Sequence, residues 1–202
     1  MTTVVFDLGG VVVEWDPVAA VAAAVGQERA ERFVRGDDFD FAAWNAAQDA
    51  GRPWAEAEAL AMASHPHLAE EIAAYLPNFA RSMTGLVPGT TDVLRELRDR
   101  GVRLVALTNW SGETIHHLPE VFPATFALFT DIVVSGDEGV AKPERAIFDV
   151  LARRLGHPLE GVVFVDDSAA NVAAAAALGM DALLFAGTEE LAQELRRRNL
   201  LD

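Results

Sequence analysis

Five short apolar runs recur along the chain, and helical patterns lie between several of them. The runs are residues 3–6, 102–107, 132–134, 162–165 and 182–185. Each is too short for a helix, rich in β-branched residues or leucine, and without polar alternation. That pattern marks a strand buried on both faces of a parallel sheet. Residues 91–100 place Val93, Leu94 and Leu97 on one helical face and stop at Gly101. Residues 143–155 open on proline and stop at Gly156. Residues 171–178 are alanine-rich, which allows close packing of helix on sheet, and stop at Gly179. Residues 188–198 open with Glu189 and Glu190 and close on three arginines, the charge order that a helix dipole favours. Strand–helix alternation predicts an α/β fold built on a doubly wound parallel sheet.

Residues 15–84 break the rhythm. They lack β-rich runs and carry alanine-rich helical stretches, such as 18–25 and 54–63. The expectation is a small helical cap inserted after strand one. Residues 1–14 and 85–202 would form the α/β core, with hinges at Pro17 and around Leu86, Pro88 and Gly89.

Ligands of open α/β sheets bind at the carboxyl ends of the strands. Polar residues stand at four such ends: Asp7, the pair Thr108-Asn109, Lys142 in the loop after strand three, and the pair Asp166-Asp167. Carboxylates, a hydroxyl and an ammonium on one edge are what phosphoryl transfer through a covalent intermediate requires. One carboxylate attacks phosphorus, a hard cation with oxygen ligands neutralises charge, and lysine and threonine orient the remaining oxygens.

Composition removes other chemistries. There is no cysteine, so disulfides, zinc thiolates and cysteine nucleophiles are excluded. The net charge of −15 repels nucleic acid and anionic membrane, although a metal ion and one lysine can reverse the sign locally. The N-terminus has no basic start, Asp7 interrupts its apolar run, and no uncharged stretch spans a bilayer. The expectation is a cytoplasmic protein with a small phosphorylated molecule as its partner, no nucleic acid and no membrane. It would be a monomer or homodimer.

Four segments, FDLGGV, ALTN, AKPERAIF and VFVDDSAANV, resemble in order and spacing the motifs of the haloacid-dehalogenase-like hydrolases. The resemblance covers the whole chain, and the insertion is similar to that family's helical cap. It implies Asp7 as nucleophile and metal ligand, the backbone carbonyl of Gly9 and Asp167 as further ligands, and Mg2+ as cofactor. Asp166 would act behind them or through a metal-bound water. Thr108, Asn109, Lys142 and the backbone at Gly10 would grip the phosphate, with Ser168 and Asn171 in support. The implied function is a Mg-dependent phosphatase working through an aspartyl phosphate, with a sugar phosphate among the candidate substrates.

One position departs from the family pattern. Most of its phosphatases carry a second aspartate two residues after the nucleophile, as general acid and base; here that position is Gly9. The loss matters, because such catalysis contributes about 10²–10⁴-fold. Three readings stay open at this point. Another group supplies the proton, with Glu14, Asp16, His116 and His117 as candidates near in sequence. Or the leaving group is good, as in the similar bacterial sugar-1-phosphate phosphatases. Or the chain is a metal-free 2-haloacid dehalogenase, against which the Asp166-Asp167 pair argues. A binding protein that keeps the fold without turnover is a further alternative.

Blander roles attach to other residues. Ser168 and Asn171 could cap the following helix. His116 and His117 read as surface or core histidines, and Arg35 and Arg196 to Arg198 as solvated charges. Trp15, Trp44 and Trp54 read as packing residues, with Trp110 nearest the substrate.

Overall fold

A computed structural model describes residues 2–202. Among these, five strands form a parallel sheet in the order β5-β4-β1-β6-β7. They are β1 (Thr3–Phe6), β4 (Arg103–Thr108), β5 (Asp131–Val134), β6 (Val163–Asp166) and β7 (Asp181–Leu184). Central β1 pairs Phe6 with Ala106 of β4 and Val165 of β6. The strand ends that carry Asp7, Thr108 and Asp166 therefore lie side by side.

The alternation of side chains along each strand explains why helices cover both faces. Val4, Phe6, Leu104, Ala106, Val163 and Val165 share one core with Leu94 and Leu97 of α6 (Thr90–Asp99) and Leu191 and Leu195 of α12 (Thr188–Arg197). Val5, Val105, Leu107 and Phe164 face the other way. They pack on Ile147, Phe148 and Leu151 of α10 (Arg145–Leu155) and on Ala175 of α11 (Ala169–Ala177). Leu97 is fully buried, so Leu97→Ala would cost about 2–5 kcal/mol.

Between β1 and α6 the chain is mainly helical. It runs through α1 (Pro17–Val25), α2 (Gln27–Arg35), α3 (Phe41–Asp49), α4 (Trp54–Ser64), α5 (Ala69–Tyr75) and a 3-10 segment (Leu76–Ser82). Asp16 caps α1 through Val18 N–H, with Pro17 in its first turn. Asp40 caps α3 through Ala43 N–H. The helices close on an aromatic cluster that includes Phe33, Phe39, Phe41, Trp44, Trp54 and Tyr75, with edge-on ring pairs such as Trp44–Trp54 and Phe41–Tyr75.

The structure differs from the sequence expectations in several places. Where hinges were expected, β2 (Val13–Trp15) and β3 (Met83–Leu86) form an antiparallel ribbon, with a register irregularity between Glu14 and Trp15. Their backbone groups bond each other, a pairing across some seventy positions that local patterning does not reveal. Helix α10 begins at Arg145, not Pro143, because Ala141 to Glu144 form a turn closed by Glu144 N–H on the Ala141 carbonyl. The stretch between β4 and α10 adds α7 (His117–Val121), α8 (Pro123–Phe126) and α9 (Ser135–Glu138), which were not foreseen. Arg198 is not simply solvated, since its guanidinium clasps both Asp181 carboxylate oxygens at 2.6 and 2.8 Å. Among the described residues no helix is long and apolar enough to cross a membrane.

Candidate active site

Asp7 lies one residue beyond β1, and its N–H donates to the Val165 carbonyl at 2.8 Å, continuing the ladder. The chain then turns sharply: the Leu8 carbonyl accepts N–H groups from Val11, Val12 and Val13. Asp7 Oδ1 accepts the Leu8 N–H at 2.7 Å and faces Lys142 Nζ at 2.9 Å. Among the described residues no hydrogen bond reaches its Oδ2.

Lys142 is the only lysine in the chain. Its side chain is fully buried, and its ammonium uses all three donors: on Asp7 Oδ1, on Asp166 Oδ2 at 2.7 Å and on the Leu107 carbonyl at 2.8 Å. Asn109 fixes the backbone of Lys142 from β4. It accepts the Lys142 N–H and donates to the Lys142 carbonyl. Both ends of the Asn109 amide, expected to grip phosphate, are thus engaged by Lys142.

Asp166 is wholly buried and saturated. Besides Lys142 it accepts the Ser168 N–H at 2.8 Å and the Asn171 amide at 3.0 and 3.1 Å. Ser168 stands at the start of α11, but its side chain makes no capping bond. Asp167, next in sequence, is exposed and points into the same opening as Asp7. Thr108 Oγ1 is buried and has no hydrogen-bond partner among the described residues, and the same holds for Trp110 Nε1. A buried hydroxyl without a partner is costly unless a ligand oxygen meets it.

The two glycines after Asp7 differ. Gly10 has φ +74, and a Cβ there would lie 2.3 Å from Asp167 Oδ2, so only glycine lets Asp167 come this close. Gly9 lies outside the left-handed region, and its Cβ would meet only Trp110, at an ordinary 3.8 Å.

Asp7, Asp166 and Asp167 offer carboxylate oxygens within 4.8 Å of one another. Burial raises the pKa of Asp7, against the Lys142 charge, and the Asp166 charge raises it further. Burial and Asp166 likewise raise Asp167. One lysine leaves this cluster short of positive charge, and an all-oxygen donor set suits a hard divalent cation. The residues therefore fit a bound Mg2+. His116, His117 and Glu120 form a second group of ligating atoms at the start of α7, outside the cavity.

The cavity measures about 320 Å³, the scale of a small-molecule site. The strand ends contribute Asp7, Gly9, Gly10, Asn109, Trp110 and Asp167; β2 and the helical segment contribute Trp15, Asn45, Asp49 and Phe79. Trp15, read as a packing residue, is exposed and lines the wall, as does Trp110. Trp44 and Trp54 are buried. None of Glu14, Asp16, His116 and His117 lines the cavity. Asp16 instead caps α1 and meets Arg35 at 3.2 Å, and His117 stacks on Phe79.

Sequence reading missed Asn45, Asp49 and Phe79. Asn45 and Asp49 share one face of α3 at i, i+4 spacing, but nothing local says which face meets the strand ends. Burial pushes the Asp49 carboxyl up to about 7, against hydrogen bonds from the Ser111 backbone and the Asn45 side chain, with the Asp7 charge adding to the rise.

A family model described as haloacid dehalogenase-like hydrolase matches residues 1–179. The chain is similar to the sesquiterpene phosphatase astK of Aspergillus oryzae, with 28% identity over 203 residues, 96% of this chain and 94% of that protein. It is also similar to a ribulose-1,5-bisphosphate 5-phosphatase of Halopiger xanaduensis, with 28% identity over 94% of this chain and 86% of the relative. Among solved structures, a magnesium complex of the HAD family enzyme bt-2542 from Bacteroides thetaiotaomicron superposes with a TM-score of 0.75. It is 20% identical, and the match covers 97% of this chain and 98% of that one.

Proposed function

The chain belongs to the haloacid dehalogenase-like hydrolases and is a phosphatase-like hydrolase; on that premise we propose that it is a magnesium-dependent phosphomonoesterase acting through an aspartyl phosphate on Asp7. One observation carries the reading: Asp7 and Asp167 open on one cavity while Lys142 holds Asp7 to the buried, saturated Asp166.

Asp7 is the nucleophile. Its carboxylate attacks phosphorus, the bond to the leaving oxygen breaks, and an acyl phosphate forms. Water then attacks the same phosphorus and frees Asp7. Lys142 keeps Asp7 ionised and places positive charge beside the incoming phosphate. The unpartnered Thr108 hydroxyl and the backbone at Gly10 are assigned to phosphate oxygens, and Asn109 to fixing Lys142. Mg2+ would be held by Asp7, the Gly9 carbonyl and Asp167, with Asp166 behind them, and supplies charge neutralisation at the phosphate when bound.

Residues 15–84 are assigned as a cap over a core of 1–14 and 85–202. They bring Trp15, Asn45 and Phe79 to the cavity and so choose the leaving group. The substrate is a small phosphorylated metabolite, a class supported by the two relatives named as phosphatases of a sesquiterpene and of ribulose 1,5-bisphosphate. A sugar phosphate remains among the candidates. The test is phosphate release from an aryl phosphate with Mg2+, which Asp7→Asn and chelation should both abolish. Undiminished turnover in either case contradicts the reading.

A further inference from the structure

We propose that Asp49, at the last turn of α3, is the general acid and base of this site and does the work that no side chain at Gly9 can do. The inference rests on the phosphatase reading above.

Asp49 lines the cavity that Asp7 and Asp167 also line, from its helical side. It is only partly exposed. Its carboxyl is oriented by a chain of bonds. The Tyr75 phenol donates to Asn45 Oδ1 at 3.2 Å, which fixes the amide so that Asn45 Nδ2 donates to Asp49 Oδ2 at 2.9 Å. The Ser111 backbone also bonds the Asp49 carboxyl, so two groups orient it.

The residue is also anchored to the strand-end side of the cavity. Its carbonyl accepts Ser135 Oγ, and that same Oγ accepts the Trp110 N–H at 3.0 Å. Just beyond, a Cβ on Gly51 would lie 3.1 Å from the Gly136 carbonyl and 3.2 Å from Gly139 Cα, so the end of α3 meets the α9 segment backbone to backbone. Asp49 therefore holds a fixed position relative to Asp7. Three features favour its protonated form beside an ionised nucleophile: its burial, the Asp7 charge and the negative end of the α3 dipole.

The steps balance. As Asp7 attacks, the electron pair of the breaking P–O bond stays on the leaving oxygen, which takes the Asp49 proton and departs as a neutral alcohol. Asp49 is left as a carboxylate. It then takes a proton from the water that attacks the acyl phosphate. The bond from phosphorus to Asp7 breaks, and phosphate, ionised Asp7 and protonated Asp49 result.

The test compares wild type, Asp49→Asn and Asp49→Glu in the Mg2+-loaded protein across p-nitrophenyl, phenyl and primary alkyl phosphates. A missing acid costs more as the leaving group becomes more basic. Asp49→Asn should lose a few-fold on p-nitrophenyl phosphate and about 10²–10⁴-fold on the alkyl phosphate. Asp49→Glu should keep a flatter dependence than Asp49→Asn. The steepness is read within each preparation, so a partly misfolded variant lowers every rate alike and leaves it unchanged. An equal loss on all three substrates would assign Asp49 a structural role and overturn the proposal, as would no loss at all. Wild type inert on all three removes the phosphatase reading itself, a result distinct from either.

Discussion

Asn109 and Lys142 hold each other by a reciprocal pair of hydrogen bonds: Lys142 N–H to Asn109 Oδ1 at 2.8 Å, and Asn109 Nδ2 to the Lys142 carbonyl at 2.9 Å. The side chain at the end of β4 thereby sets where the loop after α9 delivers its ammonium. Asn109→Ala should leave the two Lys142 backbone groups without these partners and cost about 1–3 kcal/mol. The expected kinetic result is a fall in kcat larger than any change in KM, measured beside a denaturant titration.

Lys142→Met poses a sharper problem. It leaves Asp7 and Asp166, both buried, without their shared cation. Breaking a buried ion pair from one side costs about 3–5 kcal/mol. Without the lysine, protonation is the remaining way to relieve the two charges. The deficit should therefore be largest at neutral pH and shrink as pH falls, seen as converging wild-type and variant urea midpoints. Phosphatase activity should be lost throughout.

Adjacent glycines should respond in opposite ways. Gly10→Ala forces an L side chain into a left-handed backbone, a strain of about 1–2 kcal/mol, and drives its Cβ against Asp167. Displacing that carboxylate should weaken Mg2+ binding by about 10–100-fold in a calorimetric titration. Gly9→Ala meets only Trp110 at 3.8 Å, so its stability should be unchanged or higher by up to about 1 kcal/mol.

Asp49 should also leave a mark on stability. A carboxyl at about 7 in the folded protein, raised by burial from 3.8, binds its proton more tightly folded than unfolded. It adds stability below about pH 4, and that contribution is lost as pH rises through about 7. Metal-free Asp49→Asn lacks this dependence. Relative to wild type it should gain stability from pH 4 to pH 8, by at most about 4 kcal/mol. Urea titrations of both proteins at the two pH values measure the difference.

Much of the fold could be read locally, because the buried strands are largely apolar runs and helices α6, α10 and α11 run up to Gly101, Gly156 and Gly179. Val5 and Phe164 needed no distant partner to be recognised as strand residues. The β2–β3 ribbon did, since Val13 and Leu86 have no local reason to pair. The strand-end residues Asp7, Thr108, Lys142 and Asp166 were found because strand ends and sheet order bring them together. Asp49 escaped notice because its place depends on how α3 and the neighbouring α4 dock: Ser135 Oγ on the Asp49 carbonyl, and Trp54 Nε1 of α4 on Ser111 Oγ at 3.0 Å. Those are side-chain contacts between segments far apart in sequence, with no periodicity to announce them.

The central claim is that phosphorus is transferred to Asp7. Acid quenching during Mg2+-supported turnover of an aryl phosphate, followed by peptide mass spectrometry, addresses it directly. The expected result is a phosphoryl group on Asp7 that appears within the first turnover, decays when substrate is exhausted and is absent from Asp7→Asn. Steady phosphate release with the Asp7 peptide unmodified at every quench time, or a phosphoryl group carried by another residue, would contradict the account.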